Sequence, residues 1–118
     1  MKRATTLSSV LLLVALTTIA YGQDSGLRTV SGAVVDKAEN PVRDAVIYLK
    51  NLRNLTVKTY ISSQDGQYRF SGLDPNADYE IHAEHNNLTS STRTISSFDN
   101  RKEINATLKL DKEKKTTK

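Results

Sequence analysis

The stretch Ser62-Ser63-Gln64-Asp65-Gly66-Gln67-Tyr68-Arg69-Phe70-Ser71-Gly72-Leu73-Asp74-Pro75-Asn76-Ala77-Asp78-Tyr79 decides the fold. Asp65-Gly66 is a turn signal, because glycine takes a positive φ without a Cβ clash and aspartate bonds to nearby backbone. Tyr68 and Phe70 then alternate with polar neighbours, the period of a strand with one face to bury. A Gly-Leu-Asp-Pro corner follows, and Tyr79 opens another strand.

Working outward, the same period recurs. Residues 28–36 set Val30, Gly32 and Val34 on one face, and residues 44–50 set Ala45, Ile47 and Leu49 together. Residues 55–62 alternate Leu55, Val57, Thr59 and Ile61. Residues 67–71 and 78–84 follow the central turn, the latter grouping Tyr79, Ile81 and Ala83. Residues 89–95 are mostly Ser and Thr, a polar edge strand that discourages chain-to-chain pairing. Residues 103–110 bring Ile104, Ala106, Leu108 and Leu110 to one face. About seven short strands, each with one apolar face, predict an all-β antiparallel sandwich of two packed sheets. Its expected core is Val34, Ala45, Ile47, Leu49, Ile61, Tyr68, Phe70, Tyr79, Ile81, Ile104 and Leu108.

The first residues read differently. Lys2 and Arg3 precede an apolar run over 10–19, and Ala20-Tyr21-Gly22 places small residues where a signal peptidase cleaves. The run falls short of the ~20 residues that cross a bilayer. Residues 1–22 are therefore expected to be a cleavable signal peptide, residues 27–110 the domain, and residues 111–118 a charged, disordered tail. The expected location is secreted or periplasmic, with no membrane span in the mature chain.

The chain holds 17 basic and 13 acidic residues and no cysteine. Between Gln23 and Leu110 eleven basic residues face eleven acidic ones. A neutral domain has no electrostatic footprint for a phosphate backbone, so nucleic acid is excluded as a partner. Absence of cysteine rules out a disulfide framework and a lipid-modified cysteine, and export without cysteine suits a bacterial chain.

Val30-Ser31-Gly32-Ala33-Val34-Val35-Asp36, Asn40-Pro41-Val42-Arg43-Asp44-Ala45-Val46-Ile47-Tyr48-Leu49, Asp65-Gly66-Gln67-Tyr68-Arg69-Phe70, Leu73-Asp74-Pro75 and Tyr79-Glu80-Ile81 together resemble the carboxypeptidase regulatory-like domains. These are prealbumin-like sandwiches, related to starch-binding-like ones, found beside peptidases, in outer-membrane proteins and in secreted bacterial chains. The resemblance spans residues 28–110 and implies a non-catalytic accessory module with no cofactor. The chain departs from the pattern at Pro75-Asn76-Ala77-Asp78, where Pro-Gly is usual. Self-crosslinking adhesin domains of similar fold need a lysine and an acid where this chain has Val34 and Ala83, so that crosslink is not expected.

Candidate chemistry is sparse. Glu80, His82 and Glu84 alternate on one strand and so share a face. With a further ligand they would suit a divalent metal, but the plainer reading is a solvated polar face, and no metal site is assigned. No serine sits in a nucleophile elbow, both histidines lie at one strand end, and no catalytic residue is assigned. Tyr48 and Tyr60 are the expected ligand-binding residues, on one outer face if residues 44–50 and 55–62 form a hairpin. Paired exposed rings beside polar groups stack on sugars or anchor a protein. The sequence thus predicts a secreted, non-enzymatic module that binds an exported protein or, alternatively, a polysaccharide through Tyr48 and Tyr60.

Overall fold

In the computed structural model, residues 26–115 are described, and the expected signal peptide at 1–22 lies outside them. Alternation becomes structure in ten strands: β1 (Arg28–Val35), β2 (Val46–Asn51), β3 (Val57–Ile61), β4 (Gln67–Leu73), β5 (Tyr79–His85), β6 (Leu88–Thr89), β7 (Arg93–Ile95), β8 (Glu103–Asn105), β9 (Leu108–Lys109) and β10 (Lys112–Glu113). The first sheet runs β4-β1-β8, with β9 also on β1. The second runs β10-β6-β5-β2-β3, with β7 also on β5. The inward faces of the two sheets meet in a core of Val30, Val34, Ile47, Leu49, Phe70, Leu73, Ile81, Leu108 and Leu110, all but excluded from solvent.

The central turn does what its residues suggest. Gly66 has φ +74°, and a Cβ there would come within 2.8 Å of the Val34 carbonyl oxygen. Gly66 N–H donates to Ser63 C=O at 2.8 Å, and Val34 N–H donates to Gly66 C=O at 2.8 Å. The turn thereby carries the chain from β3 in one sheet to β4 in the other. The corner after β4 closes on Tyr79, whose hydroxyl accepts from the Asp74 N–H at 2.9 Å.

Several expectations need correction. The sandwich is not wholly antiparallel, since β1 pairs with β8 and β9 in parallel. The connection from β7 crosses between sheets and enters at the start of β1, where Thr29 N–H donates to Lys102 C=O at 2.8 Å. The chain then runs alongside β1 in its own direction, which a crossover permits and a hairpin does not. The strand expected over 89–95 is split into β6 and β7. Ser90 turns inward, its Oγ accepting from the Ala83 N–H at 2.9 Å and its own N–H bonding Ala83 C=O. The expected tail begins as structure: β10 pairs with β6, and Lys114 N–H donates to Asn87 C=O at 2.9 Å. Buried Leu110 anchors the chain just before it.

Of the expected core, Ile61 alone faces solvent, at 55% exposure, while Ser62 is buried at 3%. The ladder pairs Tyr48 with Thr59, Ile47 with Tyr60 and Val46 with Ile61. Even-numbered residues of β2 thus meet odd-numbered residues of β3, and Ile61 falls on the outer face. Ser62 takes the inner position with its hydrogen bonds met: its Oγ accepts from the Ala45 N–H at 2.9 Å and donates to the Val42 carbonyl at 2.7 Å.

Candidate functional site

On β2 and β5 the residues that alternate with buried Ile47, Leu49, Ile81 and Ala83 point away from the core. Registers across β3, β2 and β5 arrange them in rows on the outer face of the second sheet: Val57, Lys50, Glu80; then Thr59, Tyr48, His82; then Ile61, Val46, Glu84. In the middle row the rings of Tyr48 and His82 stack, with centroids 5.0 Å apart and planes 11° from parallel. In this cross-strand pair each ring covers one face of the other.

Beside the stack lies a shallow groove of about 250 Å³ lined by Tyr48, Lys50, Val57, Glu80, His82 and Thr92. Its lining combines the two rings and Val57 with an ammonium, a carboxylate and a hydroxyl. His82 Nε2 lies 3.0 Å from Glu84 Oε2, and Lys114 Nζ lies 3.1 Å from Glu84 Oε1. Hydrogen bonding from His82 lowers the Glu84 carboxyl below its ordinary value; burial opposes it, and Lys114 adds to the lowering. The clasp fixes the His82 ring edge and ties β10 to the sheet. The arrangement can stack on one flat group and hydrogen-bond its periphery.

The two tyrosines expected to act together do not meet. Tyr48 is on the outer face, whereas Tyr60 turns inward and packs edge-on against Phe70, centroids 5.9 Å apart at 66°. The partner of Tyr48 is His82, which the sequence suggested for the same face as Glu80 and Glu84 but not for a ring stack. Its i+2 spacing from Glu80 showed the face, and the β2–β5 register supplied the neighbour. Among the described residues no group of three or more His, Asp or Glu side chains is placed to hold a metal ion. Val34 and Ala83, the positions that a self-crosslink would need, are fully buried apolar residues.

A family model of the carboxypeptidase regulatory-like domain matches residues 29–110. No curated protein matches the sequence. Among solved structures, the major pilin subunit of Bacillus cereus is similar at a TM-score of 0.55 and 16% identity, over 73% of this chain and 30% of the pilin. Catechol 1,2-dioxygenase from Acinetobacter sp. is similar at 0.55 and 12%, over 78% of this chain and 55% of the enzyme. The dioxygenase domain of a carbohydrate-binding fusion protein from Streptomyces sp. is similar at 0.53 and 15%, over 73% of this chain and 80% of that domain. The chain thus spans less than a third of the pilin and about half of the Acinetobacter enzyme. At these identities the likeness is one of fold.

Proposed function

Because the chain belongs to the carboxypeptidase regulatory-like domain family, we propose that it is an exported, non-catalytic accessory module that binds through the outer face of its second sheet. The observation that carries this reading is the Tyr48–His82 stack beside an open groove. A shallow groove suits recognition, whereas a water-excluding reaction site needs a deeper, more enclosed pocket. Export rests on the leader pattern of residues 1–22 and on the kinds of protein in which such domains occur. The occupant we favour is an exported protein with a flat side chain or peptide edge to lay on the rings.

Polysaccharide is the second reading, favoured by the same feature: the outward face of a stacked ring with Lys50, Glu80 and Thr92 near it matches the flat face and hydroxyl rim of a sugar. The test is the double variant Tyr48→Ser, His82→Ser, with an unchanged circular dichroism spectrum required first. It should lose at least about ten-fold in retention on exported partner or polysaccharide, the scale of a hot-spot pair. Binding equal to the parent in both assays would remove this face. Turnover of catechol by the purified chain would overturn the non-catalytic reading.

A further inference from the structure

Lys58 sits on the inner face of the second sheet. Its cross-strand partner on β2 is Leu49, which is 1% exposed, and directly opposite side chains share a face. An inward charge blunts an edge strand against unwanted pairing. That accounts for a charge on β3, but Lys58 also has surroundings. A cavity of about 250 Å³ opens there, with Lys58, Asn54, Gly72, Asp74 and Tyr79 in its walls and Leu49 as apolar lining. It lies on the other face of the sheet from the Tyr48–His82 groove.

Donors outnumber acceptors in this cavity. Tyr79 is 5% exposed, and its hydroxyl oxygen accepts from the Asp74 N–H at 2.9 Å and from Asn51 Nδ2 at 3.4 Å. The Asn51 amide is fixed in that sense, because its Oδ1 accepts from the Arg53 and Asn54 N–H groups. The Tyr79 hydroxyl proton is left with no acceptor among the described residues. Asn54 Oδ1 is occupied by the Thr56 N–H at 3.1 Å and the Thr56 hydroxyl at 2.8 Å, so the Asn54 amide also offers only donors. Asp74, the acid in the lining, lies 3.6 Å from Arg53 through Oδ2 and accepts from the Asn76 N–H through Oδ1. Lys58 therefore has no ion pair among the described residues. With Arg53 included, two cations stand against one anion, and the cavity carries an uncompensated positive charge.

The wall opposite Lys58 is backbone. Arg28 pairs with Leu73 and Val30 with Phe70, so β4 sets two residues, Ser71 and Gly72, against Thr29 alone. Such a bulge re-aims a strand locally. Gly72 there has φ +71°, and a Cβ on it would meet nothing within 4 Å, so no side chain fills the space.

We propose that this cavity binds the carboxylate of a small hydroxylated acid. Lys58 Nζ, the Tyr79 hydroxyl and the Asn54 amide donate to the carboxylate, and Asp74 accepts from a hydroxyl of the same ligand. A carboxylate is acceptor-only and brings the missing charge, and hydrogen bonds to ionised groups are roughly twice as strong as neutral ones. A neutral ligand would leave Lys58 uncompensated, and the second charge of a phosphate would meet Asp74. The volume is below the ~300–1,000 Å³ of sites for drug-sized molecules, and suits one ring or a short chain. A uronic acid residue and a free hydroxy acid share this chemistry. The inference is independent of the ligand assigned to the outer groove.

The test is a titration of the ¹⁵N-labelled chain, read by amide shifts, with D-galacturonate and separately with L-lactate. At least one should move the amides of Asn54, Gly72 and Asp74 saturably. Tighter binding of galacturonate would give the source as a sugar residue, and tighter binding of lactate a free acid. The methyl ester of the better acid, similar in shape but uncharged, should bind at least about ten-fold more weakly. Lys58→Met keeps the stem without the charge and should lose at least about the same factor. Asn54→Asp keeps the oxygen that serves Thr56 but replaces the donating amide by a negative charge, and should also weaken binding. Lys37→Met, at an exposed turn outside the lining, should bind as the parent does. Amides unmoved by both acids, an ester that binds as well as its acid, or Lys58→Met binding like the parent would overturn the proposal.

Discussion

Gly32 lacks a side chain because the Ala106 carbonyl occupies the place of one. A Cβ there would lie 1.9 Å from the carbonyl oxygen and 2.7 Å from its carbon. The same oxygen accepts from the Tyr68 hydroxyl at 2.6 Å, which fastens the last strands to the first sheet. Gly32→Ala must drive β1 and residue 106 apart, and the cost should reach about 3 kcal/mol or more, at or beyond the usual range for overpacking. Denaturant unfolding measures it, and a loss under about 1 kcal/mol would contradict the contact. Burial pushes the Tyr68 phenol well above its ordinary value of 10.0, with the charge of Arg93 opposing. A group whose folded value is raised contributes stability in full below its unfolded value and loses it as pH climbs toward the folded one. The parent should therefore weaken above about pH 10. Tyr68→Phe should lack that component, while costing about 1–3 kcal/mol near neutrality because the Ala106 carbonyl loses its donor. Parallel pH profiles for the two proteins above pH 10 would contradict this. Alternation made Tyr68 legible as a core residue, but its bond to Ala106 was not, since a period gives a face and says nothing of a partner so distant in sequence.

Strands were the most legible elements, and β3 shows where that legibility stopped. Its period was plain in Val57, Thr59 and Ile61, yet a period of two leaves open which set faces inward. Central strands resolve the choice because one set is clearly more apolar, as in Ala45, Ile47 and Leu49. An edge strand is covered on one side less completely, so Tyr60 can lie against Phe70 and Ser62 can be buried with its hydrogen bonds satisfied. Two substitutions separate the registers. Ile61→Thr should change stability by less than about 0.5 kcal/mol, as surface changes do. Ser62→Ala should cost about 1–3 kcal/mol by leaving the Ala45 N–H and Val42 carbonyl without their partner. The reverse order of effects in denaturant unfolding would restore the register in which Ile61 is buried. Parallel pairing of β8 and β9 with β1 was illegible for a different reason: it depends on where a crossover re-enters a sheet, and no local residue pattern records that.

At the scale of the molecule, the sandwich and the family were legible from β1, β2, β4 and β5, whose turn and strand residues sit close together in sequence. The face proposed for binding was legible by half. Tyr48 stood out as an outward ring, but its neighbour came from β5, and only the β2–β5 register sets His82 beside it. The reading of the chain as a binding module therefore depends on which of its two outer faces meets a partner. A photo-crosslinking residue placed singly at Lys50, beside the groove on the second sheet, or at Ser71, exposed on the first, answers this in the cells that produce the protein. Irradiation should give discrete protein or glycan adducts from position 50, reduced when Tyr48→Ser and His82→Ser are added, and none from position 71. Adducts from position 71 alone, or adducts from position 50 indifferent to the loss of both rings, would contradict the account.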